Sequence, residues 1–290
     1  MINTLFDLEN DWFGLKTIFH VIIGLIIAIA ASIPASLASQ LLKPVNPVLS
    51  VVAGGILNIA VLYMLVRLYI VKGFKMKTAD FRICSICKSS NMAIWALVAL
   101  ALPLTVSCFF IFLTPGTIAS SGLGNAGLIL TITEALFTYC LTAGIVEELI
   151  FRGLIMRLLE IRWNKFIAIL FPSVLFGMLH IFNMENYQAT DVLLLLVAGT
   201  AVGIMFSLIA YQSGSIWASA LVHGIWNFCV IGGILEISTN PAASIFTYTL
   251  EPTSTLLTGG SFGIESSLPA VIGYLIVILL ALVLQRRNTN

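Results

Sequence analysis

What most constrains this chain is a series of apolar runs, each long enough to cross a bilayer and separated by short polar turns. A spanning helix takes about 20 apolar residues. Such runs fall near residues 17–39, 48–71, 92–113, 128–151, 166–182, 192–211, 216–234 and 268–284. Turn chemistry punctuates them at Lys43-Pro44, Asn46-Pro47, Thr114-Pro115-Gly116 and Ser213-Gly214. The expected fold is all-α: a polytopic membrane protein, a bundle of about eight transmembrane helices, forming a single integral membrane domain over residues 1–290. A Ser/Thr/Pro/Gly-rich stretch over 238–267 reads as the one long loop.

Composition agrees with this and excludes other classes. Hydrophobic residues make up 59% of the chain and charged residues 9%, against about 25% charged in soluble domains. The net charge of +1 leaves no basic field for nucleic acid, so membrane lipid is the expected surrounding partner. The five cysteines are odd in number and do not suggest a disulfide framework. Cys84 and Cys87 have C-x-x-C spacing, but no second pair lies near to complete a zinc site. The acidic N-terminus (Asp7, Glu9, Asp11) is unlike a secretory n-region, so the first run is expected to be retained.

Basic residues set the expected orientation. With an even number of spans and both termini cytoplasmic, 13 of the 14 Lys and Arg residues fall inside and only Lys43 outside. The expected location is therefore an integral protein of a bacterial plasma membrane with both termini in the cytoplasm. No internal repeat is visible, which argues against an inverted-repeat transporter.

Ionisable groups at membrane depth are costly and are functional candidates by default. They are Glu134, Glu147, Glu148, Arg152, His180 and His223, with Asn227 as a neutral companion. Glu148 and Arg152 are i,i+4 neighbours and can pair. Glu147 is turned about 100° away by the helical period and is left without that partner. The bland alternative is a fixed ion network that only holds the bundle together.

The fourth and fifth runs form a hairpin that turns near Trp163 and Asn164. Glu147 lies 16 residues before Trp163 and His180 lies 17 after it, so each is about 25 Å from the turn and they share one depth. His223 and Asn227 lie on one face of the seventh run, His223 about 12 Å from its start. These depths place a site in the cytoplasmic half of the membrane, in a pocket opening to the cytoplasm. Glu134, about 20 Å further toward the other side, is expected to be unrelated. Asn183 reads as a polar cap at the end of its span.

The chemistry follows from the residue types. Glu147 can take a proton from water, His180 can orient that water or relay the proton, and His223 with Asn227 can offer N–H groups to an oxyanion. No G-x-S-x-G is present and no cysteine is placed beside a histidine, so a covalent nucleophile is not indicated. Glu147, His180 and His223 can equally be three zinc ligands. The absence of H-E-x-x-H and the poor ligand character of Asn227 favour the metal-free version, with no cofactor.

Glu147-Glu148-x-x-x-Arg152, Phe176-x-x-x-His180 and His223-x-x-x-Asn227 together resemble the three motifs of the CAAX-protease and bacteriocin-processing (Abi) intramembrane proteases. That group includes the Rce1-type prenyl-protein endopeptidases. The resemblance implies a catalytic core over 128–234 within an eight-helix bundle. It implies that Glu147 and His180 activate water while His223 and Asn227 form the oxyanion site, by a glutamate-type rather than zinc mechanism. Glu148, Arg152 and Phe176 are then supporting residues, and Gly153 matches a small residue where helices pack closely.

The resulting expectation is an intramembrane endopeptidase acting near the cytoplasmic membrane face on a membrane peptide or lipidated-protein C-terminal tail. A non-hydrolytic binding or bacteriocin-immunity protein of the same fold is the alternative, and a proton-coupled transporter is a third. The sequence does not reveal an oligomeric state.

Overall fold

The computed structural model describes residues 6–9, 11–84, 90–184, 187–242, 244–251 and 253–287. Cys87 and Lys88 lie outside the described residues. Eight helices follow the apolar runs: α1 (Leu15–Leu42), α2 (Pro47–Leu68, continued by a π turn over Tyr69–Phe74), α3 (Met92–Leu113), α4 (Asn125–Arg162), α5 (Lys165–His180), α6 (Ala189–Ser213), α7 (Ile216–Val230) and α8 (Leu268–Arg287). All but α7 are long and apolar enough to cross a membrane, and α7 is a shorter apolar helix. The chain is thus an all-α polytopic membrane protein.

Side-chain caps explain how the connections stay so short. Asn46 Oδ1 accepts from Leu49 N at 3.0 Å, with Pro47 in the first helical position of α2. Asn164 Oδ1 accepts from Ile167 N at 3.0 Å to start α5. Ser215 Oγ accepts from Trp217 N at 3.2 Å to start α7. Each cap satisfies a backbone donor that the first helical turn would otherwise leave without a partner. Between α6 and α7, Gly214 turns the chain in the left-handed region at φ 68°.

Helix α6 is the central post. Of its apolar window 56% is buried, against 11–28% in the other spanning helices. One apolar cluster joins α3, α6, α7 and α8 around Trp95, Phe206, Trp226 and Tyr274. A second joins α1, α2 and α4 around Leu62, Leu149, Leu154 and Ile155. Large apolar side chains such as Ile26, Leu104, Ile276 and Leu279 stay exposed on the outer faces, where hydrocarbon rather than water is their expected solvent.

Hydropathy does not anticipate a small sheet. Strands β1 (Gly116–Ser120), β2 (Leu235–Ser238) and β3 (Phe246–Leu250) pair in the order β1-β3-β2, with β1 antiparallel and β2 parallel to β3. Gly116 pairs with Leu250, and Leu235 with Phe246. Part of the stretch over 238–267 is therefore ordered strand, and 3-10 turns follow at Gly260–Phe262 and Ile264–Ser266.

The two ends of the bundle differ. At one end Arg82 donates to Glu160 at 2.7 Å and Arg157 to the same carboxylate at 3.0 Å. Arg82 and Lys165 both lie over the Tyr211 ring, and Arg162 donates to the backbone of Asp11 and Trp12. Helices α1, α3, α5 and α7 start at this basic end. The sheet, which follows α3 and α7 and precedes α8, lies at the other.

Candidate active site

Helix α4 is not a uniform α-helix. A single α turn, Gly144–Glu148, is bracketed by π segments over Ala135–Ala143 and Leu149–Ile155. Thr142 Oγ1 donates to the Phe137 carbonyl five residues back at 2.5 Å, occupying one of the acceptors that the wider winding re-routes. The bracketed turn carries Glu147 and Glu148. It also brings α4 against α7 with almost no side chain between them, because Gly144 faces Gly224.

Glu148 and Arg152 form the buried pair that their spacing suggests. Arg152 Nη1 donates to Glu148 Oε1 at 2.8 Å, with both side chains 0% exposed. Arg152 Nη2 donates to the Gly203 carbonyl of α6 at 3.0 Å, and its guanidinium lies over the rings of Phe176 and Phe206. One arginine thereby ties α4, α5 and α6 together. Its charge is compensated both by a carboxylate and by aromatic faces.

Glu148 Oε1 also accepts from His223 Nδ1 at 3.1 Å. This fixes the imidazole orientation and turns its Nε2 toward Glu147, whose Oε2 lies 3.7 Å away. Phe206 stacks on the same ring at 4.6 Å and an interplanar angle of 16°. Glu147 is 29% exposed, yet its Oε2 is buried and has no hydrogen-bond partner among the described residues. A buried carboxylate oxygen without a donor is a place for a water proton or a substrate N–H.

His180 sits at the end of α5. A carbonyl can only accept, so His180 Nδ1, 2.8 Å from the Phe176 carbonyl, must carry its hydrogen, and the neutral ring then has an acceptor at Nε2. Phe176 packs on His180 at 4.3 Å and under Arg152. Asn227 Nδ2 donates to the Tyr139 carbonyl at 3.2 Å, which leaves its second N–H for another acceptor.

Glu147, Phe176, His180, His223 and Asn227 line one cavity of about 350 Å³. Glu148 and Arg152 stand behind that wall. Glu134 does not line it, but Asn183 does, as an exposed residue of the 3-10 turn that ends α5. Sequence reasoning missed Tyr139, Phe206, Trp226, Ser261, Glu265, Ser266 and Tyr274, which also line the cavity. The one available signal was position: Trp226 lies between His223 and Asn227, and Glu265 is a lone acid just before the last apolar run.

The position of the cavity relates its mouth to the two ends of the bundle. Its lining joins residues of α4 and α6 to the ends of α5 and α7, the start of α8 and the segment over 261–266, and these last four lie at the sheet end of the bundle. The exposed members Asn183, Ile231 and Ser261 are there too. The pocket therefore opens away from the basic end, and a basic cytoplasmic end cannot share a face with its mouth. The hairpin arithmetic gave the matching depths of Glu147 and His180 but not the end at which the cavity opens.

Among the described residues no three His, Cys, Asp or Glu side chains gather closely enough to hold a metal ion. Glu147, His180 and His223 share a cavity without converging as a three-ligand set, and Asn227 is a poor fourth donor.

Residues 128–229 match the family described as type II CAAX prenyl endopeptidase Rce1-like, which is 102 of the 290 residues. No curated protein and no solved structure matches the chain.

Proposed function

We propose, from the match of residues 128–229 to the family described as type II CAAX prenyl endopeptidase Rce1-like, a metal-free peptide hydrolysis in the cavity of α4, α5 and α7. The observation that carries the reading is the convergence of Glu147, His180, His223 and Asn227 on one cavity. Water held between Glu147 and His180 Nε2 gives its proton to the carboxylate as its oxygen attacks the scissile carbonyl. The developing oxyanion receives the second N–H of Asn227 and the Nε2–H of His223 in its doubly protonated form. Glu148, accepting from His223 Nδ1, stabilises that imidazolium, and Arg152 keeps Glu148 in place.

The family description supports a prenylated or otherwise membrane-held peptide as substrate, and one reading has its tail presented at the cytoplasmic face. The basic end of the bundle supports the opposite assignment, because positive residues stay in the cytoplasm and the cavity mouth then lies on the outer side. A membrane peptide presented at the outer face is the substrate class of that second reading.

The test is cleavage of quenched peptides, prenylated and unprenylated, by the protein in lipid vesicles. Glu147→Gln should reduce turnover by about 10²–10⁴-fold with the fold intact, and chelators should leave wild-type turnover unchanged. Full cleavage by Glu147→Gln rejects the mechanism.

A further inference from the structure

The motif residues leave a second carboxyl in the cavity without a role. Glu265 lies in the 3-10 turn before α8, outside the matched family segment, and lines the same cavity as Glu147, His180 and His223. Trp226 Nε1 donates to its Oε2 at 3.1 Å, which aims the carboxyl from the α7 turn that separates His223 from Asn227. The next residue, Ser266, is 1% exposed and also lines the cavity, and its Oγ has no hydrogen-bond partner among the described residues. A buried hydroxyl without a partner is unfavourable unless a ligand supplies one. This second observation is independent of the carboxyl and points to a polar group of a substrate.

We propose that Glu265 is the general acid that protonates the departing amine, with Ser266 Oγ hydrogen-bonded to the substrate backbone on that side of the scissile bond. The inference rests on the hydrolase reading above. An amide nitrogen leaves poorly as an anion, so a positioned acid is required on the leaving side. The proton count closes. Water gives one proton to Glu147 while its oxygen bonds to the carbonyl carbon. Glu265 gives its proton to nitrogen as the C–N bond breaks, and the proton held on Glu147 then returns Glu265 to its acid form through the shared cavity. The new carboxylic acid finally loses its proton to the released amine.

Burial pushes the Glu265 carboxyl above the usual carboxylate range, and nearby Glu147 adds to this, while the Trp226 N–H and the charged forms of His180 and His223 pull the other way. The phenols of Tyr139 and Tyr274 are the remaining titratable groups on the lining. A carboxyl kept in its acid form beside a second one that acts as base is the division of labour that two-carboxyl hydrolases use.

The test compares a peptide substrate with its depsipeptide analogue, in which the scissile N–H is replaced by oxygen and the leaving alkoxide needs less protonation. Glu265→Gln preserves an acceptor for Trp226 and removes the acid. It should lower kcat for the peptide by about 10²–10⁴-fold and for the ester less than about tenfold, so the amide-to-ester ratio collapses. Because the ratio is internal, it is unaffected if part of the variant is unfolded. Glu265→Asp should recover part of the ratio, and Ser266→Ala should raise KM while leaving the ratio unchanged. Equal losses on both substrates, or no loss on the peptide, overturn the proposal. Full activity of Glu147→Gln on both substrates overturns the hydrolase reading instead, so the two failures are distinct.

Discussion

Gly144 and Gly224 meet backbone to backbone, and this contact sets the distance between the two helices that carry Glu147 and His223. A Cβ at Gly144 would lie 3.0 Å from Gly224 Cα, and a Cβ at Gly224 would lie 2.6 Å from the Cys140 carbonyl oxygen. The second position has no flexible neighbour to yield, so the helices must part. Gly224→Ala should cost about 1–3 kcal/mol in a thermal unfolding assay. It should lower kcat by more than the folded fraction explains, because the 3.7 Å approach of His223 to Glu147 is lost. Full activity in a well-folded Gly224→Ala protein would show that this spacing does not matter to the chemistry.

Glu148 and Arg152 should behave as a unit of stability. Removing one charge leaves the other buried without compensation, so Glu148→Ala is expected to cost about 3–5 kcal/mol. Replacing both residues with methionine should restore much of the melting temperature but not activity, since His223 then loses the acceptor for its Nδ1–H. A double variant no more stable than the single one would rule out the ion pair as the cause.

Asn227→Ala removes one donor from the proposed oxyanion site and one hydrogen bond to the Tyr139 carbonyl. The loss should appear in kcat, by about 10²–10³-fold, with little change in KM. A change confined to KM would assign Asn227 to ground-state binding.

The N-terminal segment offers a pH-dependent clasp outside the membrane spans. Burial of Asp11 opposes its ionisation, but hydrogen bonds from Thr17 N at 2.8 Å and Thr17 Oγ1 at 2.9 Å outweigh it and hold the carboxyl below its ordinary value. A carboxylate with a lowered folded-state pKa contributes stability that is present above the unfolded value of 3.8 and is lost as pH falls through the folded one. Protection of the amides over residues 11–17, taken relative to their intrinsic exchange rate at each pH, should therefore fall on acidification. Asp11→Asn should exchange rapidly at every pH, and a pH-independent wild type would refute the clasp.

Membrane orientation can be read with single cysteines in a cysteine-free background. Labels at Asn183 and at Lys165 should react from opposite sides of sealed vesicles, because these residues close opposite ends of α5. The positive-inside rule assigns Lys165 to the cytoplasm. Reaction of Asn183 from the cytoplasmic side would return the cavity mouth to the face where a prenylated tail is presented.

The spans were legible because a run of about 20 apolar residues has few other fates, and helices α1 to α8 follow those runs. The Glu148–Arg152 pair was legible because i,i+4 contacts are local. What escaped depends on contacts distant in sequence. Strands of four or five residues such as Leu235–Ser238 carry little periodic signal, and β1 finds its partner about 130 residues away. Glu265 was hidden in a polar stretch that composition describes as loop, and only the closing of the chain over the ends of α5 and α7 brings it beside His180 and His223.

The two π segments of α4 carry a consequence for how this helix tolerates change in length. A π turn holds an extra residue compared with an α turn, so a one-residue deletion inside 135–143, or beyond Arg152 within 153–155, can be absorbed as ordinary α winding. Residues on either side keep their angular phase, and the short turn bearing the two glutamates stays aimed at α7. The same deletion within 144–148 has no such slack and would swing one carboxylate out of the cavity by about 100°. Single-residue gaps should therefore be survivable on both flanks of the paired acids and disabling between them.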